Sequence, residues 1–407
     1  MIRLTTTTKL MSAGIAMSLG WMVLEACDCD ETKEDQFPGF WVACTGNKPT
    51  LMTYSGNNPT IVTTTTAGNF NPNGWDCSRD SNSPQYKGSL ASAPFPIGSP
   101  GGPGGNARPR QTGSSQAAYL PQQIRALPFT PYLPPPGAPP MCQSTFPDVI
   151  RTNHPESTVT RISTCPFAVK TTIPVFANPL QIAVTPDGSK ALVTSYGPLD
   201  GTGGAITFIN LITNQVTNTV IMPFQVTPNG VAISPDGTTA YIGNFRPAGQ
   251  SILVMNIASQ TITATIPGVV TYPSGLTLTP DGSQLWIASP VGMETDVMDT
   301  LSQTLVARMN IQMSTDIAFN STGTTAYVTS ALNVPVGQVF AVNTGTFQTL
   351  TTYNVGNTPA DIAMSYGDQW LVVDNSGDNT ISVIDLVQDA VKTTNLGGVV
   401  NGIAFVH

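Results

Sequence analysis

The sequence predicts an all-β protein that folds as a β-propeller of seven four-stranded blades, with six blades as the alternative count. A segment of about ten residues that often ends in Pro-Asp-Gly recurs along the chain, and three further β-rich runs follow each copy. The last seven residues repeat only the first of these runs. A repeat period of roughly 40–50 residues with strand-like patterning is typical of propellers.

Each copy begins with a short apolar strand. Strict copies start at Pro179, Pro228 and Pro273, and weaker copies start at Ser314 and Pro359. Where the strand ends in Pro-Asp-Gly, proline fixes φ and glycine accepts a positive φ, which favours a tight turn. Because four β-rich runs per copy make one blade, we expect five regular blades from residue 179 onward.

The C-terminal segment 401–407 matches the first strand of a further copy, after which the sequence stops. A single strand would leave open edges, so we expect it to pair with N-terminal strands and close the ring. Residues 40–43, 51–54 and 60–64 fit the second, third and fourth strands of that composite blade.

A less regular blade is predicted upstream of the strict copies. Residues 121–128 align with the first strand, and 149–153, 158–162 and 169–173 fit the other three. This blade and the composite blade bring the count to seven. If the match at 40–66 is accidental, the count is six and the last strand joins the strands after residue 149.

These repeats resemble the YVTN family of β-propeller repeats, which occur in bacterial and archaeal surface proteins. The similarity covers residues 179–407. The Pro-Asp-Gly turn is strict in three copies and degraded in two, at 320–323 and 365–368. The resemblance implies a propeller fold and leaves the function open.

The N-terminal region is typical of an exported protein. Arg3 and Lys9 precede an uncharged, largely apolar stretch at 10–24, as in a signal peptide, and this stretch is short for a membrane-spanning helix. No later segment is long and apolar enough to span a bilayer. We expect a periplasmic, outer-surface-anchored or extracellular protein.

The chain divides into six predicted segments. They are a signal peptide (1–26), an acidic tether (27–38), an N-terminal partial blade (39–67), a Gly/Pro/Ser-rich insertion (68–116), an irregular blade with a proline-rich loop (117–178) and the regular blades (179–407).

The segment before Cys27 resembles a lipoprotein signal, in which the cysteine thiol receives the lipid. Glu25 departs from that pattern, because a small or apolar residue is usual there. Lipidation of Cys27 and ordinary cleavage after Ala26 therefore both stay open.

Disulfides are expected because an exported protein meets oxidising conditions. The blade model places Cys142 and Cys165 in connections at one end of a blade, and Cys44 and Cys77 at the opposite end of another. We therefore expect the pairs Cys142–Cys165 and Cys44–Cys77.

The composition restricts the partners. Charged residues make up only 10%, the net charge is −8, and no basic run occurs. Such a surface is a poor electrostatic match for nucleic acid. We expect a protein or glycan partner at the cell surface, with self-assembly as a further option.

Recognisable catalytic chemistry is absent from the sequence. His154 and His407 are the two histidines, which excludes a histidine-rich metal centre, and no nucleophile elbow, phosphate loop or dinucleotide fingerprint occurs. We assign no catalytic residue and favour a protein that is not an enzyme.

The candidate site follows from propeller geometry, because loops that enter first strands and leave second strands share one face around the axis. Aligned copies place Gln181, Asp316 and Asp361 at that entrance. Carboxylate oxygens there suit a divalent cation or a sugar hydroxyl, and no other cofactor is expected. The alternative is that both aspartates are solvated or cap adjacent loops.

The leading functional hypothesis is an extracytoplasmic, non-catalytic binding or scaffold protein that presents its loop faces to a protein or glycan. One alternative is a metal-dependent hydrolase similar to propeller lactonases, with Asp316, Asp361 and Gln181 around the metal. Another is a structural subunit of a surface layer or fibre.

Overall fold

The computed structural model describes residues 40–45, 48–52, 54–55, 58–61, 65–66, 124–126, 148–154, 156–164, 167–198, 203–224, 226–244, 250–269, 271–332, 336–395 and 400–406. Segments 1–26, 27–38 and 68–116 lie outside these ranges, as do Cys27, Cys77, Cys142 and Cys165. The described residues form an all-β propeller of antiparallel four-stranded sheets, with a short 3₁₀ helix at Tyr366–Asp368.

Six blades consist of consecutive strands, each paired with the next in chain order. Blade 1 has β6 (Ile124–Ala126), β7 (Val149–Asn153), β8 (Thr158–Thr164) and β9 (Phe167–Pro174). Blade 2 has β10 (Pro179–Val184), β11 (Lys190–Ser195), β12 (Ala205–Asn210) and β13 (Gln215–Ile221). Blade 3 has β14 (Pro228–Ile233), β15 (Thr239–Asn244), β16 (Ser251–Asn256) and β17 (Thr261–Pro267).

The remaining three blades follow the same order. Blade 4 has β18 (Gly275–Leu278), β19 (Gln284–Ala288), β20 (Thr295–Asp299) and β21 (Thr304–Met309). Blade 5 has β22 (Ser314–Phe319), β23 (Thr325–Ser330), β24 (Gly337–Asn343) and β25 (Thr349–Val355). Blade 6 has β26 (Pro359–Met364), β27 (Trp370–Asn375), β28 (Thr380–Asp385) and β29 (Ala390–Asn395).

A further four-stranded sheet, the mixed sheet, combines both ends of the described chain. Its strands are β30 (Val400–Val406), β1 (Phe40–Thr45), β2 (Lys48–Met52) and β5 (Thr65–Thr66), in that order. The predicted pairing of the C-terminal strand with residues 40–43 is confirmed; the two strands are antiparallel, with Trp41 opposite Phe405.

Of the strand predicted at 60–64, the described residues Thr60 and Ile61 do not belong to the mixed sheet. Residues Asn58–Ile61 (β4) instead pair with Tyr54–Ser55 (β3) in a separate hairpin, and β5 takes the outer place. Ser55 pairs with Asn58, so only Gly56 and Asn57 connect the strands. Such a short Gly/Asn connection favours a local hairpin.

The blade count expected from the sequence is corrected from seven to six. Six sheets have the four consecutive strands that define a blade here. The mixed sheet differs because it takes strands from both ends of the chain and its outer strand has only two residues. The alternative six-blade arrangement is also wrong in one respect, since β6 supplies the first strand of blade 1 and β30 does not.

The first strands of successive blades lie side by side, from β10 through β14, β18 and β22 to β26. The fourth strands are largely exposed, as in β13 and β25, so they form the outer rim. Between neighbouring blades the alternating apolar residues interlock. In one such layer Leu192 and Phe208 of blade 2 meet Val231 and Ile242 of blade 3. Complete burial of each large side chain contributes roughly 1.5–3 kcal/mol.

Within the described ranges, no helix has the length and apolar character needed to cross a membrane.

Candidate functional site

Most first strands begin with a β-bulge, and the sequence-predicted site residues lie in it. In blade 2, Pro179 pairs with Ser195 and Ile182 with Val193, so Leu180 and Gln181 together oppose Thr194. Blades 3, 5 and 6 repeat this irregularity at the same place. A bulge redirects side chains where regular pairing stops. We call this end of the blades the bulge end.

Gln181, Asp316 and Asp361 occupy equivalent bulge positions, but they are buried and do not line an exposed mouth. Their exposed fractions are 1%, 3% and 1%. The alternative that the aspartates are solvated is therefore wrong. Ionised carboxylates tolerate such burial only when hydrogen bonds or charges compensate for lost water.

Asp316 is tied to its own blade and to the next one. Its backbone N–H donates to Thr329 Oγ1 at 2.8 Å, and its carbonyl oxygen accepts from the same hydroxyl group at 2.9 Å. Its Oδ2 atom lies 3.4 Å from the donating N–H nitrogen of Ile362 in blade 6. The carboxylate thus faces the backbone of the neighbouring first strand.

Asp374 is the member of this site that the sequence reasoning missed. It lies opposite the bulge of blade 6, is 0% exposed, and accepts backbone hydrogen bonds from Asp361 and Gly402. Burial raises the pKa of the Asp374 carboxyl to about 7; the backbone hydrogen bonds from Asp361, Gly402 and Ala360 oppose this rise, whereas the charge of Asp316 adds to it. Asp374 occupies the same position in its second strand as Thr194 and Thr329 occupy in theirs. An alignment of the second strands in the sequence would therefore have pointed to this residue.

Threonine hydroxyls fill the equivalent role at other blade junctions. Thr152 donates to the carbonyl oxygen of Leu180 at 3.0 Å, and Thr194 donates to that of Asn229. Each bond runs from the second strand of one blade to the first strand of the next. The polar residues at the bulge end therefore join neighbouring blades.

Two buried amide side chains at the bulge end have polar atoms that are open to a further hydrogen bond. Gln181 and Asn229 are each 1% exposed. Gln181 Oε1 and both amide atoms of Asn229 have no hydrogen-bond partner within the described part of the chain. A buried polar atom left unpaired lowers stability by about 1–3 kcal/mol. A polar group that formed a hydrogen bond with these atoms would remove that loss.

The described ranges contain no group of three His, Cys, Asp or Glu residues placed to hold a metal ion. The divalent cation expected beside Asp316, Asp361 and Gln181 thus gains no support from this geometry. His154 lies just after β7, where burial lowers its pKa, and His407 is outside the described residues.

Cys44 lies in β1, opposite a bulge that Asn401 and Gly402 make in β30. Its predicted partner Cys77 and the pair Cys142 and Cys165 fall outside the described residues. Both disulfides therefore stay predictions.

Exposed apolar side chains lie on loops of blades 4 and 5 at the bulge end. Val291 and Met293 are 53% and 64% exposed, and Leu332 and Val336 are 45% and 43% exposed. The two loops are connected by backbone hydrogen bonds, since Gly292 accepts from Met313 at 2.8 Å, and Met313 accepts from Ala331 at 3.0 Å. We call these four exposed side chains the loop patch.

The opposite end of the first strands carries the Pro-Asp-Gly turns, and we call it the turn end. Asp187 accepts hydrogen bonds from the Thr185 hydroxyl and from the backbone and hydroxyl of Ser189, which lower its pKa. Asp236 and Asp281 repeat this arrangement. The tight turns predicted at the Pro-Asp-Gly segments are confirmed, and the aspartate of each one stabilises the turn.

Solved structures that are similar to this chain include the two described next. Kuenenia stuttgartiensis hydrazine synthase aligns with a TM-score of 0.53 and 18% identity, over 66% of this chain and 77% of that chain. A functionally unknown protein from Desulfotomaculum acetoxidans DSM 771 aligns with a TM-score of 0.54 and 19% identity, over 63% and 85%. No family model and no curated protein matches the sequence. At this identity the likeness concerns the fold alone.

Proposed function

We propose that the protein is an extracytoplasmic, non-catalytic binding or scaffold protein that holds a protein partner through the loop patch. The four exposed apolar side chains on two loops that backbone hydrogen bonds connect through Met313 carry this proposal; they are Val291, Met293, Leu332 and Val336. Clustered apolar side chains at a surface mark sites of protein interaction more often than isolated ones do. A propeller supports such a role because its blades present loops from a rigid frame.

The chemistry of the bulge end favours this role over the lactonase-like alternative. A metal-dependent hydrolase needs carboxylates that are open to a cation and a substrate. Asp316 and Asp374 are buried, and their oxygens accept backbone N–H groups of neighbouring strands. Their arrangement suits structural support better than catalysis.

The loop patch is tested by the double substitution Val291→Asp with Met293→Asp. The matched control is Ile212→Asp with Leu301→Asp, since these side chains are 78% and 94% exposed at the turn end. Cross-linking in the envelope fraction is expected to yield a discrete adduct with the natural sequence and the control, and to lose it with the patch variant.

Two outcomes would contradict the patch as the binding surface. One is an adduct that survives in the patch variant at unchanged yield. The other is equal loss in both variants, which would point to charge at any exposed site. A glycan array and concentration-dependent light scattering address glycan binding and self-assembly, and a positive result that the patch variant leaves unchanged favours those alternatives.

We also propose that the mixed sheet closes the ring between blade 6 and blade 1. In support, β30 lies beside β26 on one side and beside β6 on the other. It carries the same bulge as the first strands of blades 2, 3, 5 and 6, and Gly402 donates to Asp374 of blade 6 at 2.9 Å. Deleting residues 400–407 should then lower the thermal midpoint sharply, whereas an unchanged melting curve would contradict closure.

We also propose that the protein is exported, because this fits its low content of charged residues and its predicted signal peptide. Mass spectrometry of the mature N-terminus separates lipidated Cys27 from plain cleavage after Ala26. Peptide mapping without reductant tests the pairs Cys142–Cys165 and Cys44–Cys77, and a Cys44–Cys142 link would contradict the blade assignment.

A further inference from the structure

The outer edge of blade 6 differs from the outer edges of the other five blades. Where β29 pairs with β28, residues 390–395 each oppose one residue of β28, and the register has no irregularity. In blades 1–5 the fourth strand contains one extra residue, which makes a bulge. These residues are Lys170, Thr217, Thr263, Val306 and Leu350. A bulge twists an edge strand away from further pairing, whereas a regular edge is a template for another strand.

The residues of β29 are accessible along the length of the strand. Five of its six side chains are exposed, and Thr394 is half-buried. Successive residues of an antiparallel strand direct their N–H and C=O groups to opposite sides, so every second residue of β29 directs them away from β28. At six residues, β29 has the usual length of a strand. A further strand can therefore form hydrogen bonds along the whole edge.

The charge on this edge lacks the partner that similar charges have elsewhere. Two other fourth strands carry a basic residue, and each of these lies beside a carboxylate of its own blade. Lys170 Nζ is 3.0 Å from Asp148 Oδ2, and Arg308 Nη1 is 3.6 Å from Glu294 Oε2. Within the described ranges, Lys392 near the middle of β29 forms no such ion pair. Blade 6 thus combines a regular edge with a positive charge that is not neutralised.

We propose that β29 is a docking edge for an extended segment of a partner protein that carries a carboxylate opposite Lys392. In this mode of recognition, backbone hydrogen bonds to the edge supply affinity and side chains supply selectivity. An opposite charge directly across from Lys392 is favourable, whereas a like charge there is unfavourable. The loop patch lies on blades 4 and 5, so this inference is independent of it.

A second copy of this chain fits the edge less well than an acidic segment does. In an antiparallel pair, opposed residues either both direct their N–H and C=O groups at each other or both direct them away. When two β29 strands pair in this way, the two Lys392 side chains lie on the same face, directly opposite or diagonal to each other. Their repulsion disfavours the pairing.

Two synthetic peptides with blocked ends probe the edge. Each has the length of β29, six residues, and alternates Thr with Val around one central Glu or one central Lys. We expect the Glu peptide to slow amide hydrogen exchange at the outward-directed N–H groups of β29, by about tenfold at about ten times its Kd. Its Kd should be about fivefold lower than that of the Lys peptide. The amides of Thr351 and Thr352 in β25, which has the bulge, are the internal control and should be unaffected.

Two variants test whether the charge of Lys392 selects the occupant. In Lys392→Glu the preference should reverse to the Lys peptide by a similar factor of about five, and in Lys392→Arg the preference for the Glu peptide should persist. Because Lys392 is exposed, both variants should keep the thermal midpoint of the natural sequence, and that measurement verifies their folding.

Several results would overturn the proposal. If neither peptide protects β29, Lys392 serves only to keep the edge unpaired. If Lys392→Glu leaves the preference unchanged, or if β25 is protected as well, charge and edge regularity do not select the occupant. Protection without peptide that rises with protein concentration would make a second copy the occupant. Protection without peptide at every concentration would assign the edge to a segment of this chain.

Discussion

The two ends of the first strands place aspartates in opposite environments. At the bulge end, Asp374 is fully buried and its pKa is raised to about 7. At the turn end, Asp187, Asp236 and Asp281 are exposed, and hydrogen bonds from neighbouring Ser and Thr residues lower their pKa values. The same residue type thus serves as a link between strands at one end and as a local turn former at the other.

The ends also differ in how blades contact each other. At the bulge end, glycines bring backbone against backbone, as where Gly275 faces the carbonyl oxygen of Thr315. At the turn end the contacts are between neighbouring turns, with Gly282 against the ring of Pro235. Backbone at the bulge end is fixed by a sheet on each side, whereas a turn has more freedom to shift. Glycine substitutions at the bulge end should therefore lower the free energy of unfolding more than glycine substitutions at the turn end.

The largest effect is expected for Gly275→Ala. A Cβ atom there would lie 2.4 Å from the carbonyl oxygen of Thr315 and 3.1 Å from the Cα atom of Asp316. Relieving this overlap requires blade 5 to move, so we expect a loss of about 3 kcal/mol in the free energy of unfolding. Denaturant titration measures it.

Gly345→Ala is the control for this substitution, because its nearest atom beyond the adjacent residues would be 3.5 Å away. It should change stability by less than about 0.5 kcal/mol. Equal effects of the two substitutions would show that close approach at the bulge end is not a constraint.

A smaller loss is expected for Thr194→Val, which keeps the shape of the side chain and removes its hydroxyl group. The buried carbonyl oxygen of Asn229 and the N–H of Gln181 would each lose a hydrogen-bond partner. We expect a cost of about 2 kcal/mol. Exposed Thr217 in β13 provides the comparison, and Thr217→Val should be nearly neutral. A neutral Thr194→Val would mean that these junctions depend on apolar packing alone.

Two turn-end glycines separate backbone strain from contact between blades. Gly237 and Gly282 have almost the same φ, 71° and 73°. A Cβ atom would lie 3.4 Å from Pro186 Cδ in the first case and 2.7 Å from Pro235 Cδ in the second. Strain from positive φ should cost each alanine variant about 1 kcal/mol, and the contact should add about 1 kcal/mol for Gly282→Ala. Identical thermal midpoints would exclude a role for the contact.

The sequence predicted the strands well where apolar and turn residues alternate clearly. Residues 149–153 were expected as the second strand of the irregular blade and form β7 with those bounds. The alignment of copies also placed Asp316 and Asp361 on equivalent positions of neighbouring blades. Local pattern and repeat period suffice for these features, since each depends on the strand's own residues.

The environment of the site residues could not be predicted in the same way. The burial of Asp316 depends on the approach of β26, and the role of Asp374 depends on Gly402, which is 28 positions away in sequence. The bulge was missed because the extra residue is defined by the partner strand. Likewise, β5 replaced the strand predicted at 60–64 because a local hairpin competed for Asn58–Ile61.

The smallest expected effect concerns the pH dependence that Asp281 contributes at the turn end. Hydrogen bonds from Thr279 and Ser283 lower the pKa of Asp281 in the folded protein. The stability they confer is therefore present above about pH 4, the ordinary aspartate pKa, and is lost as the pH falls further. Solvent screening at this exposed turn limits the contribution to about 0.5 kcal/mol. In Asp281→Asn the thermal midpoint should lose this part of its decline between about pH 4 and pH 2. If the midpoint of Asp281→Asn declined as steeply as that of the natural sequence, the hydrogen bonds of Asp281 would not stabilise the turn, and the contrast between a linking end and a turn-forming end would be wrong.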